Sequence, residues 1–508
     1  MSRTRVSRPC GRATLQSRRA RWQPAASRCG GTPLDEDDEK HTQAAGAPAP
    51  AHPLLHALAL AGGPLAAVLA WGLMAASGWA PEARHAAAVT AWVVVWWITE
   101  PIPIPATSLL PLALMPLLGV LPASAVAGAY GSPLILLLLG GFILSTAMER
   151  SGAHRRVALT MVNLFGGSSG RRLVLGFMAA SATLSMWISN TATTLMLLPV
   201  ALAVLERVRD ERMVMPLLLG IAFSASLGGI GTPIGTPPNL IFMQVYQEST
   251  GTEISFLRWM GWGVPVVLLF LPLMGLWLTR NLSGIGRITV PDVGPWRTDE
   301  ARVMTVFALT ALAWITRREP FGGWSEWFGL PGANDAAVAF VAVVAMFLIP
   351  DGKGGRLLDW ERAERIPWGM LLLFAGGITI ARAFEATGIS VALGETLSGL
   401  AGLPVVLLIA VICLAITFLT EMTSNTATTT LMMPILAAAA IGAGIEPTLL
   451  MIPAAMSASC AFMLPVATAP NAIMFGTGRF TTRAMAREGL ALNLIGAAVI
   501  TLVISSLI

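Results

Sequence analysis

The tripeptide Ser-Asn-Thr occurs twice in strongly apolar surroundings, as Ser189-Asn190-Thr191 and as Ser424-Asn425-Thr426. Hydroxyl and carboxamide oxygens, with carbonyls released where a helix is interrupted, are neutral hard ligands suited to a small cation bound reversibly. The positive helix ends that start just after each tripeptide, with its O–H and N–H groups, can receive a carboxylate or a sulfate. A single cluster of this kind would read as hydrogen-bonding glue between membrane helices. Two clusters, each followed downstream by a second polar break, Gly235-Thr-Pro-Pro-Asn239 and Ala467-Thr-Ala-Pro-Asn471, point to a binding site. Irregular backbone at membrane depth is tolerated only where it lines a cavity or is buried in protein. Pro233, Pro237 and Pro238 in the first break, and Pro465 and Pro470 in the second, remove backbone donors and stop the helices there.

The elements that must position these residues are membrane helices. The 508-residue chain is 55% hydrophobic and 12% charged, with a mean hydropathy of +0.69, about half the charge of a soluble domain. Eleven apolar runs, from 54–78 to 490–508, read as crossings and include 106–121, 214–246 and 449–475. Two further runs, 173–205 and 404–441, are interrupted midway by the Ser-Asn-Thr tripeptides. Arg171 and Arg172 precede the first of these, and Arg207, Arg209 and Arg212 follow it, so both ends face the cytoplasm and the run is a re-entrant hairpin. No Lys or Arg lies between Glu385 and Arg479, so the second run fits a hairpin entering from the external face. With the N-terminus inside, the only ones of the 33 Lys and Arg not on the cytoplasmic side are Arg84, Arg258, Arg317 and Arg318, which lie outside, and Arg382, which lies within a span. This count puts the C-terminus outside. The expected fold is an all-α polytopic inverted-repeat transporter with about 11 transmembrane helices and two re-entrant hairpins.

The halves repeat in order. Ser185-Met-Trp-Ile-Ser-Asn-Thr-Ala-Thr-Thr matches Thr420-Glu-Met-Thr-Ser-Asn-Thr-Ala-Thr-Thr, and Pro199 matches Pro434. Upstream, Gly140-Gly141 and Glu149 match Gly376-Gly377 and Glu385. Repeat 1 is expected over about 85–280 and repeat 2 over about 300–508, following a basic, disordered cytoplasmic tail over 1–52. The formal charge of +5 sits in short loops as topology signals, which argues against nucleic acid as a partner.

Other polar residues carry less chemistry. Glu421, three positions before the second tip, is read either as a coupling or gating group or as a structural partner. Its repeat-mate is Met186, so it is not a symmetric cation ligand. Glu100 reads as structural, and Arg382 as paired with an acid or reaching the external interface. Trp92, Trp96 and Trp97 read as interfacial anchors. The five histidines stand in the tail, near span ends or in a basic loop, so no catalytic constellation is expected, and Cys10, Cys29, Cys413 and Cys460 show no metal or disulfide pattern. A channel built from polar tips is the other alternative, which discontinuous helix pairs in an inverted repeat disfavour.

From about residue 60 to the C-terminus the chain resembles the divalent anion:sodium symporter family of sodium-coupled dicarboxylate, citrate and sulfate carriers. The resemblance rests on Trp97-Ile-Thr-Glu-Pro-Ile-Pro, Thr107-Ser-Leu-Leu-Pro111, both Ser-Asn-Thr tips and Phe462-Met-Leu-Pro-Val-Ala-Thr-Ala-Pro-Asn471-Ala-Ile. It implies a homodimer in a bacterial inner membrane, with a scaffold that holds a moving transport domain in elevator-type alternating access. One sodium site would comprise Ser185, Ser189, Asn190 and Gly235, and the other Thr420, Ser424, Asn425 and Ala467. Substrate would lie between Ser189-Asn190-Thr191 and Ser424-Asn425-Thr426, near Thr468. The family pattern often has Pro where this chain has Ala469. The expected activity is sodium-coupled symport of a C4-dicarboxylate such as succinate, malate or fumarate, with no cofactor. A sodium-independent dicarboxylate exchanger and a sodium:sulfate symporter are the alternatives.

Overall fold

The computed structural model describes residues 53–165, 169–208, 210–282, 294–319, 321–392 and 404–508. The tail expected over 1–52 lies outside the described residues. Everything described falls within one compact unit, Pro50–Ile508, and among the described residues the regular elements are all helices. Seven of these helices are long and apolar enough to cross a membrane, among them Pro53–Ala76, Phe256–Leu278, Trp368–Ala386 and Thr482–Leu507. Large apolar side chains line their outer faces, as at Leu65, Val68 and Leu69 in one helix and Leu268 and Leu276 in another. Such outward-facing apolar surface belongs in lipid and not in water.

Several runs read from the sequence as single crossings are interrupted. The run 106–121 is bent at Ser108 between helices Ile104–Thr107 and Leu109–Leu117. The run 214–246 divides into Glu211–Gly228 and Pro237–Thr250, and 449–475 into Thr448–Ala458 and Ala469–Phe475. In each divided run a proline occupies the first turn of the second half, where its missing N–H costs nothing. The two tripeptides likewise separate helix pairs, Gly170–Ser185 from Asn190–Val208 and Val405–Thr420 from Asn425–Gly442.

These pieces interlock across the repeat. Helix Asn190–Val208 packs on Glu211–Gly228 of its own half and on Ala469–Phe475 of the other half. Asn425–Gly442 in turn packs on Thr448–Ala458 and, across the repeat, on Pro237–Thr250. The long helices Phe256–Leu278 and Thr482–Leu507 lie against each other beside both breaks. Gly263 and Gly489 let them approach the two breaks, since a methyl there would stand 2.4 Å from the Ile230 carbonyl oxygen or 2.2 Å from that of Phe462. A second group of helices, Pro81–Thr99, Pro133–Ser151, Thr298–Ile315, Asp335–Leu348 and Trp368–Ala386, flanks this bundle.

The Trp cluster is a packing device. Trp92 and Trp96 meet edge to face at 5.4 Å and straddle Gly63, where a methyl would stand 2.4 Å from the Trp96 ring nitrogen. Trp97 is buried, and its Nε1 donates to Ser108 Oγ at 3.1 Å. Glu100 closes helix Pro81–Thr99 in a left-handed conformation at φ 45°. Arg382 pairs with Glu248 at 2.8 Å and donates to the Ala125 carbonyl at 2.7 Å, tying Trp368–Ala386 to Pro237–Thr250 and to Ala123–Tyr130.

At the end of helix Thr298–Ile315, Arg317 is 2% exposed and bridges Asp335 at 2.6 Å and Glu253 at 2.7 Å. Replacing it by Met leaves Asp335 buried without its cation, a change that typically costs about 3–5 kcal/mol. Arg317→Met is therefore expected to lower the melting temperature in detergent well below wild type, while Arg318→Met, at a 47%-exposed side chain, leaves it nearly unchanged. Equal melting of the two variants contradicts the buried bridge.

Candidate functional site

Each tripeptide starts a helix, and the residue five positions before its Asn ends the helix that precedes it. This spacing brings the two together across the turn. Ser185 Oγ donates to Asn190 Oδ1 at 2.5 Å, and Thr420 Oγ1 donates to Asn425 Oδ1 at 2.7 Å. Ser189 caps its helix by accepting from Ala192 N at 3.1 Å, and its hydroxyl side of the turn is exposed. Asn190, Thr191, Ser424 and Asn425 are half-buried, and Thr426 is buried. The Ser189 carbonyl accepts from Thr193 N at 3.0 Å and that of Ser424 from Thr428 N at 2.9 Å, so the two helices begin with the same backbone hydrogen bond.

The breaks come to the tips from the adjoining helix pair. A methyl at Gly235 would stand 2.5 Å from the Gly229 carbonyl oxygen and 3.0 Å from that of Ser185. A methyl at Gly229 would stand 3.0 Å from Asn190 Oδ1 and 3.1 Å from the Gly235 carbonyl oxygen. The structure therefore brings Ser185, Asn190 and Gly235 together in one oxygen-rich cluster, to which the Gly229 backbone also belongs. Thr232 Oγ1 donates to the Met186 carbonyl and locks break to turn. In the second half, Thr420 Oγ1 also contacts the Ala458 carbonyl at 3.1 Å, and Ala467 is buried in a matching turn. That turn is closed by Ala467 N donating to the Leu464 carbonyl at 3.2 Å, as Gly235 N donates to the Thr232 carbonyl at 3.3 Å. Thr468 caps helix Ala469–Phe475 by accepting from Asn471 N at 3.2 Å, and Ala469 beside it is exposed.

The two turns differ in charge. Glu421 is 3% exposed, and its Oε1 accepts from Phe462 N at 2.7 Å, Met463 N at 2.8 Å and Asn493 Nδ2 at 2.8 Å. Its Oε2 accepts from Leu464 N at 2.9 Å. Of the two roles read from the sequence, these contacts show the structural one, an anchor for the second break. Met186, its repeat-mate, packs on Gly231, where a methyl would stand 2.7 Å from Met186 Cε. Ser, Thr and Asn supply every side-chain oxygen in the tips, and none of these side chains titrates near neutral pH. Sequence reasoning used Asn239 and Asn471 only as break markers and missed their hydrogen bonds to the break carbonyls. The signal available was their identical place in both halves.

An all-helical membrane bundle, broken in pairs around oxygen-lined turns, defines a membrane transporter. The comparisons agree and make the class specific. A family model described as citrate transporter matches residues 94–452. The sodium-dependent dicarboxylate transporter SdcS of Staphylococcus saprophyticus is 40% identical over 471 residues, covering 88% of this chain and 90% of that protein. SdcS of Staphylococcus aureus is 40% identical over 442 residues, covering 82% of this chain and 84% of that protein. The chain belongs to this family, the divalent anion:sodium symporters. In fold it is also similar to the Alcanivorax borkumensis YdaH transporter, at a TM-score of 0.54 and 14% identity over 76% of this chain and 88% of that one. Neisseria gonorrhoeae MtrF gives the same TM-score of 0.54 at 14% identity, over 76% of this chain and 82% of that one.

Proposed function

We propose that the protein is a sodium-coupled symporter of a C4-dicarboxylate such as succinate, malate or fumarate. The observation that carries this reading is the pair of oxygen-lined turns, Ser185 with Asn190 and Gly235, and Thr420 with Asn425; Ala467, in the turn that matches Gly235, belongs to the second site in this reading. Their neutral oxygens match the ligand chemistry of a hard cation that must be released on every cycle. Ser189 and Ser424 complete the two sodium pockets in this reading. The substrate dianion lies between the two tripeptides, Ser189-Asn190-Thr191 and Ser424-Asn425-Thr426, with Thr468 beside it. Sodium ions on either side offset its charge, so no arginine clamp is needed. The dicarboxylate and the sodium dependence follow the relatives, which are sodium-dependent dicarboxylate transporters.

The same reading takes the two interrupted pairs as hairpins entering from opposite faces, the N-terminus as cytoplasmic and the C-terminus as external. It places a homodimer in a bacterial inner membrane and has the broken bundle move against the flanking helices in elevator fashion. No cofactor takes part. The test is radiolabelled succinate uptake into proteoliposomes under an inward sodium gradient, repeated with potassium and with competing citrate and sulfate. Uptake driven by sodium and lowered at least about tenfold, or about 1.4 kcal/mol, by either Asn190→Ala or Asn425→Ala is expected. Equal uptake in potassium removes symport, and preferential inhibition by sulfate reassigns the substrate.

A further inference from the structure

We propose that Asn239 and Asn471 are positioning residues that fix the carbonyl ligands of the two cation pockets. Each is fully buried in the first turn of the helix that follows a break. Asn239 Nδ2 donates to the Gly229 carbonyl at 2.9 Å and to the Thr232 carbonyl at 2.7 Å. Asn471 Nδ2 donates to the Ala461 carbonyl at 2.9 Å and to the Leu464 carbonyl at 3.1 Å. In both halves the accepting residues are ten and seven positions upstream. Two carbonyls can be satisfied only by the nitrogen of the carboxamide, so its orientation is fixed by chemistry.

The carboxamide oxygens behave differently. Asn239 Oδ1 and Asn471 Oδ1 are both buried without a hydrogen-bond partner. A buried acceptor left unpaired is destabilising. An apolar side chain of similar size would avoid it, yet both halves of this chain carry the amide at the same place. The donors are what the amide contributes. They hold the Thr232 and Leu464 carbonyls, and those carbonyls also receive the amides of the ligand residues, Gly235 N at 3.3 Å and Ala467 N at 3.2 Å. Each asparagine thus clamps the first carbonyl of a tight turn whose last residue offers its own carbonyl to the pocket. The Gly229 carbonyl, held by the same amide, is the atom closest to where a Gly235 side chain would begin. Broken helices have no intrahelical ladder to hold such carbonyls in place, and cation ligands must be fixed closely to discriminate one ion from another.

This inference rests on the sodium reading of the pockets, and its test separates the two. Asn239→Leu and Asn471→Leu keep volume and remove the clamp without adding charge. Sodium-dependent succinate uptake in proteoliposomes, with sodium-induced thermal stabilisation of the full-length protein in detergent, gives two readouts. The expected result for each single variant is a half-saturating sodium concentration raised about tenfold or more, weaker preference for sodium over lithium, and loss of most of the thermal stabilisation by sodium. The succinate KM at saturating sodium should change by no more than about twofold. A merely structural residue would lower stability equally in sodium and in choline and leave the sodium dependence of uptake unchanged, and that result overturns the proposal. Should a leucine variant not purify as a monodisperse protein, the smaller Asn239→Ser and Asn471→Ser carry the same two measurements. If wild type itself responds identically to sodium and choline, the sodium reading fails before the asparagines are in question.

Discussion

Glu421→Ala is expected to cost most of the stability of the second broken pair. The carboxylate serves three consecutive backbone N–H groups, those of Phe462, Met463 and Leu464, and the Asn493 amide. At 3% exposure the carboxylate is shielded from bulk solvent. Asn493 Oδ1 lies 3.3 Å from Phe462 N and offsets only one of these losses. Each donor left without an acceptor costs about 1–3 kcal/mol, so the sum is several kcal/mol, comparable with the stability of a typical domain. The alanine variant should therefore melt roughly 10 °C or more below wild type, or fail to purify as a single species. Glu421→Gln should be milder, because one carbonyl oxygen can still serve the three donors now on Oε1, and only the Leu464 N–H loses its acceptor. Melting followed by tryptophan fluorescence in detergent distinguishes the three proteins. An alanine variant within two or so degrees of wild type would show that the carboxylate is not what holds residues 462–464.

Gly235→Ala is the second large effect, and it acts on transport. The added methyl would meet the Gly229 carbonyl oxygen at 2.5 Å, Gly229 Cα at 2.9 Å and the Ser185 carbonyl oxygen at 3.0 Å, all of them backbone atoms. No rotamer change relieves such contacts, so the break must move away from the tip and widen the first pocket. Sodium-driven succinate uptake is expected to fall at least about a hundredfold, or about 2.8 kcal/mol at 1.4 kcal/mol per tenfold. Ala467→Gly, at the matching place in the second half, removes a methyl that the turn already accommodates. It should retain most of the activity. Wild-type sodium dependence in Gly235→Ala would sink the placement of the first pocket.

Much of the architecture is legible locally. Proline at the first turn of Pro237–Thr250 and Ala469–Phe475 states where a helix must restart. The tripeptides mark where two other runs stop being helical, and the structure interrupts both there. The spacing from Ser185 to Asn190, repeated from Thr420 to Asn425, already places hydroxyl and carboxamide across one turn. Contacts between distant segments are not legible in this way. Arg382 carries no sequence signal naming Glu248 as its partner, and nothing in the sequence shows that Trp92 and Trp96 enclose Gly63. Short helices such as Ala123–Tyr130 and Ala153–Phe165 fall in stretches that hydropathy leaves between crossings.

The sequence by itself determined the class of the protein and the residues that stand at its two interrupted turns. Apolar runs, proline breaks and a tripeptide written twice are local properties, and backbone sterics and desolvation act on them wherever the chain goes. Only the tertiary structure decided that helix Asn190–Val208 leans on Ala469–Phe475 while Asn425–Gly442 leans on Pro237–Thr250. It also decided the role of Glu421, whose repeat-mate Met186 fills space while the carboxylate collects four donors from segments 41 to 72 residues away. The reason is that hydrogen-bond partners at such separations are selected by packing, which one residue's neighbours in the chain do not specify.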